Sequence, residues 1–305
     1  MELSPVTDDG VTLAVTLHEP DTAPPHACVV ALHAAAYGTR EHDVYEHLRR
    51  TLTGAGVAVV LYDRRGSGGS DGAGEASLGR LAEDARTLVH AVAELPQIVE
   101  HRVGLWGISQ GGWIGPIAAA ADEGVAFVIA VSASGVSPSE QMHFAMDNVL
   151  RENSFTESDI AAARQARILI ESRYRARDVE GARSAVEAAQ REPWYPFAYL
   201  PSVEDVEQPD PFEIDLNPID VFSDVRVPTL AIYGEWDRWV PIDRSIEVWG
   251  KAFADRPELL TVERIAHVGH MMTMPEDRLD PMEAGPVSSE YAAAMHRWIT
   301  DLVGA

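Results

Sequence analysis

Residues 103–116 read V-G-L-W-G-I-S-Q-G-G-W-I-G-P, and this stretch decides the fold. Val103 to Trp106 is an apolar run long enough for a buried strand. From Gln110 onward, Ile114, Ile117, Ala118 and Ala121 suit a helix packed on a sheet. Between them, Gly107-Ile108-Ser109-Gln110-Gly111 fits G-x-S-x-G. A strand that turns sharply into a helix strains its central residue, and flanking glycines remove side chains that would collide there. The Ser109 hydroxyl is therefore expected at the carboxyl edge of a sheet. The Gln110 backbone N–H, at the opening of the helix, is expected to point toward any oxyanion formed on Ser109. Without that context the pentapeptide is a tight turn with an incidental serine, so partners must come from elsewhere in the chain.

The flanking sequence supplies the context. Ala27–Leu32, Val57–Leu61, Val125–Val131, Pro228–Tyr233 and Leu259–Ile265 are apolar runs, as expected of strands covered on both faces. Residues 3–18 alternate about Asp9-Gly10, which predicts a hairpin. Helices are expected over Arg40–Leu52, Ser77–Leu95, Asp243–Ala254 with Asp243 as its cap, and Ser288–Leu302. This rhythm predicts an α/β fold: a mostly parallel central sheet with helices on both faces and ligands beyond the carboxyl ends of the strands. The glycine-rich loop Tyr62–Ser70, Y-D-R-R-G-S-G-G-S, matches neither a dinucleotide fingerprint nor a phosphate loop.

The rhythm breaks at Gly135. Ser137-Pro138-Ser139-Glu140 reads as a capping box, and Thr156-Glu157-Ser158-Asp159 opens a second helix. Asp178–Arg191 reads as a third, followed by an aromatic, proline-rich passage, residues 193–201, and an acidic segment. Residues 137–215 are therefore expected to form a helical cap inserted into a core made of residues 1–136 and 216–305.

The chain has 305 residues, 46% hydrophobic, with a formal net charge of -24. Such a surface repels phosphate backbones and anionic lipid, so nucleic acid and membrane surfaces are not expected partners. Cys28 is the only cysteine. It lies in an apolar run, where an inert core thiol is expected. The first residues show no basic, apolar leader and no run approaches a membrane span, so a cytoplasmic location is the expectation. A homo-oligomer is left open.

Serine is a weak nucleophile at neutral pH. It needs a base to take its proton, a carboxylate to orient that base, and donors for the oxyanion. The order serine, acid, histidine, each after a strand, recurs here as Ser109, then Asp237 or Glu235, then His270 or His267. His42 and His47 stand five apart on a predicted helix, where a zinc pair would need four, so a solvated helix surface is expected. No metal and no cofactor is expected. Trp106, Trp113, Trp236 and Trp239 are candidates for an acyl pocket, although sheet-to-helix packing explains Trp106 and Trp113 equally well. Trp194, Tyr195 and Tyr199 in the insertion are the better candidates for substrate contact.

These motifs together resemble the α/β-hydrolase-fold serine hydrolases, of the bacterial esterase-like or peptidase-like type with a helical cap. The likeness covers nearly the whole chain outside the insertion. It rests on the His33 loop, D-R-R-G-S-G-G-S, G-I-S-Q-G-G, G-E-W-D-R-W-V-P and G-H-M. The resemblance implies Ser109 as nucleophile, Asp237 as acid and His270 as base, with Gln110 and Ala35 donating to the oxyanion. Ala34 and the Tyr37 hydroxyl are the alternatives, because His33-Ala34-Ala35-Ala36 stands where such enzymes commonly have His-Gly-Gly. Tyr37 and Trp236 are further expected substrate contacts. Hydrolysis of a small carboxylic ester is the expected activity, with peptidase, thioesterase, acyltransferase and silent ligand-binding roles as alternatives.

Overall fold

Long apolar runs become the middle of a sheet because each side chain, up or down, finds a covering layer. In the computed structural model, which describes residues 1–36, 38–74, 76–207, 213–275 and 285–304, the runs become strands as follows. They are β1 (Glu2–Leu3), β2 (Val15–His18), β3 (His26–Leu32), β4 (Ala58–Tyr62), β5 (Ile98–Ile108), β6 (Val128–Val131), β7 (Thr229–Gly234) and β8 (Leu260–Ile265). Every residue of β3, β4, β6 and β7 is buried.

The strand order is β1-β2-β4-β3-β5-β6-β7-β8. The predicted hairpin is the antiparallel pair β1–β2, with its turn at Gly10 in left-handed conformation. β2 joins β4 antiparallel, and all later pairings are parallel. After β3 the chain steps to one side for β4, then returns to the other side for β5. The carboxyl ends of β3 and β5 therefore flank the point where strand order reverses, the crevice in which open parallel sheets bind ligands.

Helices α1 (Asp43–Gly54), α2 (Leu78–Ala93) and α3 (Gly111–Ala121) follow β3, β4 and β5. Ser77 caps α2 by accepting from the Arg80 N–H. The helices α4 (Pro138–Glu152), α5 (Glu157–Arg175), α6 (Val179–Ala189) and α7 (Val203–Glu207) form the irregular middle of the chain. They are followed by α8 (Pro218–Phe222), α9 (Ile242–Ala252) and α10 (Ser289–Val303). Val29 and Ala31 of β3, Trp106 and Ile108 of β5, and Ile129 and Val131 of β6 pack in one cluster with Tyr45 and Leu48 of α1 and Tyr291 and Met295 of α10. The alternate residues face the other way. There the bare Gly115 of α3 lies against Leu32, Leu105 and Val128.

The described chain divides into two compact units. One contains residues 1–135, 217–237 and 242–305; the other contains 136–216 with 238–241. The second unit has cores of its own: Met146, Leu150, Ile160 and Trp194 in one, Ile170, Ala182, Val186 and Val206 in another. Thr156 and Asp159 close a full capping box on α5. At α4, Ser137 accepts from the Glu140 N–H. The segment Arg238–Pro241 joins this unit through Arg238, which pairs with Glu152 at 3.0 Å.

Two local expectations are corrected. Asp243 lies inside the first turn of α9, not at its cap, because the helix already begins at Ile242. His47 is not on a solvated surface. α1 packs against α10, which puts its ring 5.5 Å from that of Tyr291 and leaves both ring nitrogens buried without a partner. His42 instead caps α1, its Nδ1 accepting from the Val44 N–H at 3.2 Å. Among the described residues, no helix is long and apolar enough to cross a membrane.

Burial lowers the pKa of His47 to about 4 and that of His33 to about 3. Below about pH 6.5 the unfolded chain takes up protons that these two folded imidazoles refuse, so stability falls as pH drops through that window. For His47 the loss is at most about 3 kcal/mol by pH 4. The melting temperature should therefore fall between pH 7 and pH 4, and His47→Leu should flatten part of the fall. Parallel curves for parent and variant would contradict the assignment. Cys28 is fully buried and its thiol is pushed far up by desolvation. It should resist alkylation until the protein unfolds.

Candidate active site

The turn from β5 into α3 is made by backbone contacts that no side chain could share. A Cβ on Gly107 would stand 2.0 Å from the Gly111 carbonyl oxygen, and one on Gly111 would stand 2.7 Å from that of Leu32. A Cβ on Gly112 would meet that of Ala133 at 2.6 Å. Ser109 is held at φ 55°, a left-handed conformation that costs a non-glycine residue about 1–3 kcal/mol. Its N–H donates to the Val131 carbonyl at 2.9 Å, locking it beside the end of β6.

Asp237 and His270 come from neighbouring strand ends. β7 runs out at Gly234, and the Asp237 N–H turns back to the Gly234 carbonyl at 3.0 Å. The loop after β8 folds across this point. The missing side chain of Gly234 makes room for it, since a Cβ would lie 2.4 Å from the Val268 carbonyl oxygen and 2.5 Å from that of Gly269. The Trp236 N–H bonds the Val268 carbonyl at 2.9 Å, and Ser132 Oγ–H donates to the His270 carbonyl at 2.7 Å. Ser132 directly follows β6, the neighbour of β5. The loop after β8 has therefore been carried across β7 to the end of β6, the strand paired with β5.

There His270 Nδ1–H donates to Asp237 Oδ2 at 2.8 Å, with both residues buried. The rival candidates are not in this position. Glu235 is exposed, its backbone N–H tied to Ile265. His267 is exposed at φ 60°, its ring edge-on to Trp236 at 5.1 Å. A carboxylate on Nδ1 sets the imidazole tautomer and leaves Nε2 as the nitrogen able to accept a proton.

The loop after β3 forms the other wall of the crevice. His33 is buried and neutral, its Nε2–H donating to the Tyr62 carbonyl at 2.8 Å. Ala34 is buried, while Ala35 and Ala36 are exposed. Arg64 reaches this loop, with Nη2 2.9 Å from the Ala35 carbonyl oxygen and Nη1 3.4 Å from that of Ala34. Arg64 Nη1 also donates to Gln110 Oε1 at 3.2 Å. Gln110 is the N-cap residue of α3, where backbone N–H groups lack helical partners. Among the described residues, nothing accepts the N–H of Ala35 or of Gln110. Tyr37 lies outside the described residues. Asp63 steadies the next loop, accepting from the N–H groups of Arg40 and Gly69, each at 2.8 Å.

The aromatic candidates divide. Trp106 and Trp113 are buried, their indole N–H groups donating to the Tyr291 hydroxyl and the Ser134 carbonyl. Trp194, expected to touch substrate, is only 3% exposed and packs inside the helical unit's core. Tyr195 packs on the same core. Tyr199 is 44% exposed at φ 47°, edge-on to Trp239, its carbonyl held by the buried Arg167. Among the described residues, no group of three or more His, Cys, Asp or Glu side chains is placed to hold a metal ion.

Comparison with known proteins agrees with this architecture. The family model described as X-Pro dipeptidyl-peptidase (S15 family) matches residues 9–269. No curated protein matches the chain significantly. Among solved structures, Est1E from Butyrivibrio proteoclasticus with ferulic acid bound is similar at 17% identity over 100% of both chains, with a TM-score of 0.63. The esterase Pf2001 of Pyrococcus furiosus is 15% identical over 99% of this chain and 90% of its own, with a TM-score of 0.61. The proline iminopeptidase of Mycobacterium smegmatis is 18% identical over 100% of both, with a TM-score of 0.59. The fold is the α/β-hydrolase fold.

Gly234 offers a test of the crossing. The wild type should show a far-downfield imidazole N–H proton resonance from His270 bonded to Asp237. Gly234→Ala should weaken or abolish it while the far-ultraviolet circular dichroism is kept. An unchanged resonance would mean that the loop does not depend on a bare α-carbon at position 234.

Proposed function

The chain belongs to the X-Pro dipeptidyl-peptidase (S15) family of hydrolases, and from that premise we propose a serine hydrolase that cleaves a small carboxylic ester through an acyl-enzyme. The observation that carries the reading is the buried 2.8 Å hydrogen bond between His270 and Asp237, in a loop tied to the end of β6, the strand paired with β5. Ser109 Oγ attacks the substrate carbonyl as His270 Nε2 takes its proton. Asp237 keeps Nδ1 protonated and stabilises the imidazolium. The backbone N–H groups of Gln110 and Ala35 receive the oxyanion. His270 returns the proton to the departing alcohol; it then takes a proton from the water that attacks the acyl-enzyme and returns it to Ser109 Oγ as the acid leaves.

A peptide bond as substrate is the second reading, and the match of the S15 model over residues 9–269 favours it. The same machinery serves both bonds, so only substrate preference separates them.

A fluorophosphonate probe should label wild-type protein at Ser109, and Ser109→Ala should abolish the label. A folded, unlabelled wild type would sink the mechanism. Asp237→Asn should lower kcat by roughly three to four orders of magnitude, because the imidazole then loses its tautomer. Turnover of p-nitrophenyl butyrate well above Ala-Pro-p-nitroanilide and a butyryl thioester supports the ester reading; the opposite ranking replaces it with the peptidase or thioesterase. A butyrate ester formed when an alcohol is added would show transfer to an acceptor other than water.

A further inference from the structure

Ala34–Ala36 make no backbone hydrogen bonds to the rest of the described chain. Among the described residues, the one side chain that hydrogen-bonds to this loop segment is Arg64. Its guanidinium faces two consecutive carbonyls, those of Ala34 and Ala35, and also holds the Gln110 side-chain oxygen. Arg64 forms no ion pair with a carboxylate among the described residues, and its Nε is buried without a partner. The same residue grips the loop a second time further on, its backbone N–H donating to the Gly38 carbonyl at 2.8 Å. Gly38 leaves space for both Ser67 and the guanidinium, since a Cβ there would stand 2.8 Å from Ser67 Oγ, 3.3 Å from Arg64 Nε and 3.4 Å from Nη2.

A trans peptide is planar, and its C=O and N–H point in opposite directions. Turning the Ala34 carbonyl toward Arg64 therefore turns the Ala35 N–H away from the guanidinium. A flipped peptide would aim that N–H at a guanidinium, which has donors and no acceptor. The cation thus favours one orientation of the peptide over the other. Three alanines, with no glycine and no backbone–backbone hydrogen bond to the described residues, do not supply this preference themselves.

We propose that Arg64 is a positioning residue for the oxyanion donors, holding the Ala34–Ala35 peptide with its N–H turned away from the guanidinium and tethering Gln110 beside it. The inference rests on the serine-hydrolase reading above. It assigns Arg64 no contact with substrate, because its fork is already occupied by protein oxygens.

The test compares wild type, Arg64→Met and Arg64→Lys using p-nitrophenyl butyrate and an aryl trifluoromethyl ketone, which adds to the serine as a tetrahedral oxyanion. In Arg64→Met, kcat should fall roughly ten- to a hundredfold, less than outright removal of an oxyanion donor, with KM changed less than about threefold. Inhibition by the ketone should weaken by the same factor as kcat/KM. Arg64→Lys should recover part of the loss, since one ammonium cannot serve both carbonyls as a planar fork does. Gly38→Ala in a Ser67→Ala background, compared with Ser67→Ala alone, crowds the guanidinium without removing it; it should lower kcat in the same sense and decides the matter if Arg64→Met does not fold. Unchanged kcat and ketone affinity in the folded Arg64 variants would overturn the proposal. So would a loss confined to KM for a carboxylate-bearing ester, which would make Arg64 a substrate anchor. Fluorophosphonate labelling of wild-type Ser109 is the control. If it is absent, the hydrolase reading fails and this inference with it; if it is present, a negative result counts against Arg64 alone.

Discussion

Where β3, β5 and α3 meet there is no room for a side chain. The Gly107 α-carbon faces the Gly111 carbonyl, and the Gly111 α-carbon faces the Leu32 carbonyl, each closer than a methyl group would allow. This contact between backbones is the constraint on which the rest of the site depends. It forces the left-handed conformation of Ser109 and starts α3 immediately afterward. It also presses the helix start against the end of β3, which brings the His33 loop beside it. Ser109, helix N-terminus and loop amides are therefore gathered at the strand-order reversal by steric exclusion. The attraction that holds them there comes from the apolar layers on either side of the sheet.

A second close approach completes the arrangement. The loop after β8 passes over the bare α-carbon of Gly234 and is stitched to the end of β6 by Ser132. Left-handed backbone at Ser132, His267 and Met272 marks the path, as Ser109 marks the turn after β5. All four lie beyond the carboxyl ends of parallel strands. Each costs free energy locally, and each persists because buried residues beneath it, among them Trp106, Tyr233, Tyr291 and Trp249, over-determine the backbone. Their polar atoms are satisfied: Trp106 bonds the Tyr291 hydroxyl, and Trp249 bonds that of Tyr233, which in turn donates to the Ala133 carbonyl. The rigid layer is thus anchored by groups that cannot rotate without losing a buried hydrogen bond.

Charge follows the same division. The molecule carries twice as many acidic as basic residues, 48 against 24. Arginines are mostly matched with carboxylates, as in the buried pair of Arg65 with Asp84 and the pair of Arg167 with Glu171 in the helical unit. Arg64, next in sequence to Arg65, is turned to carbonyl oxygens instead. A cation set among neutral acceptors at the edge of the crevice adds positive potential where the proposed chemistry develops negative charge.

The amino-acid sequence by itself determined the sheet, its order of strands and helices in the chain, and the serine turn. Those features are local: an apolar run, a capping serine such as Ser77 or Ser288, and glycines at fixed offsets each act through neighbours a few residues away. Only the tertiary structure decided which carboxylate meets which imidazole. Family resemblance favours Asp237 over Glu235 and His270 over His267, but residue type alone does not bring the two side chains together. That is done by a loop crossing that joins Ser132 to His270 over 138 positions. The burial of His47, the withdrawal of Trp194 into a core and the grip of Arg64 on Ala34 and Ala35 belong to the same class. Each depends on which strands become neighbours, and no periodicity along a single chain records that.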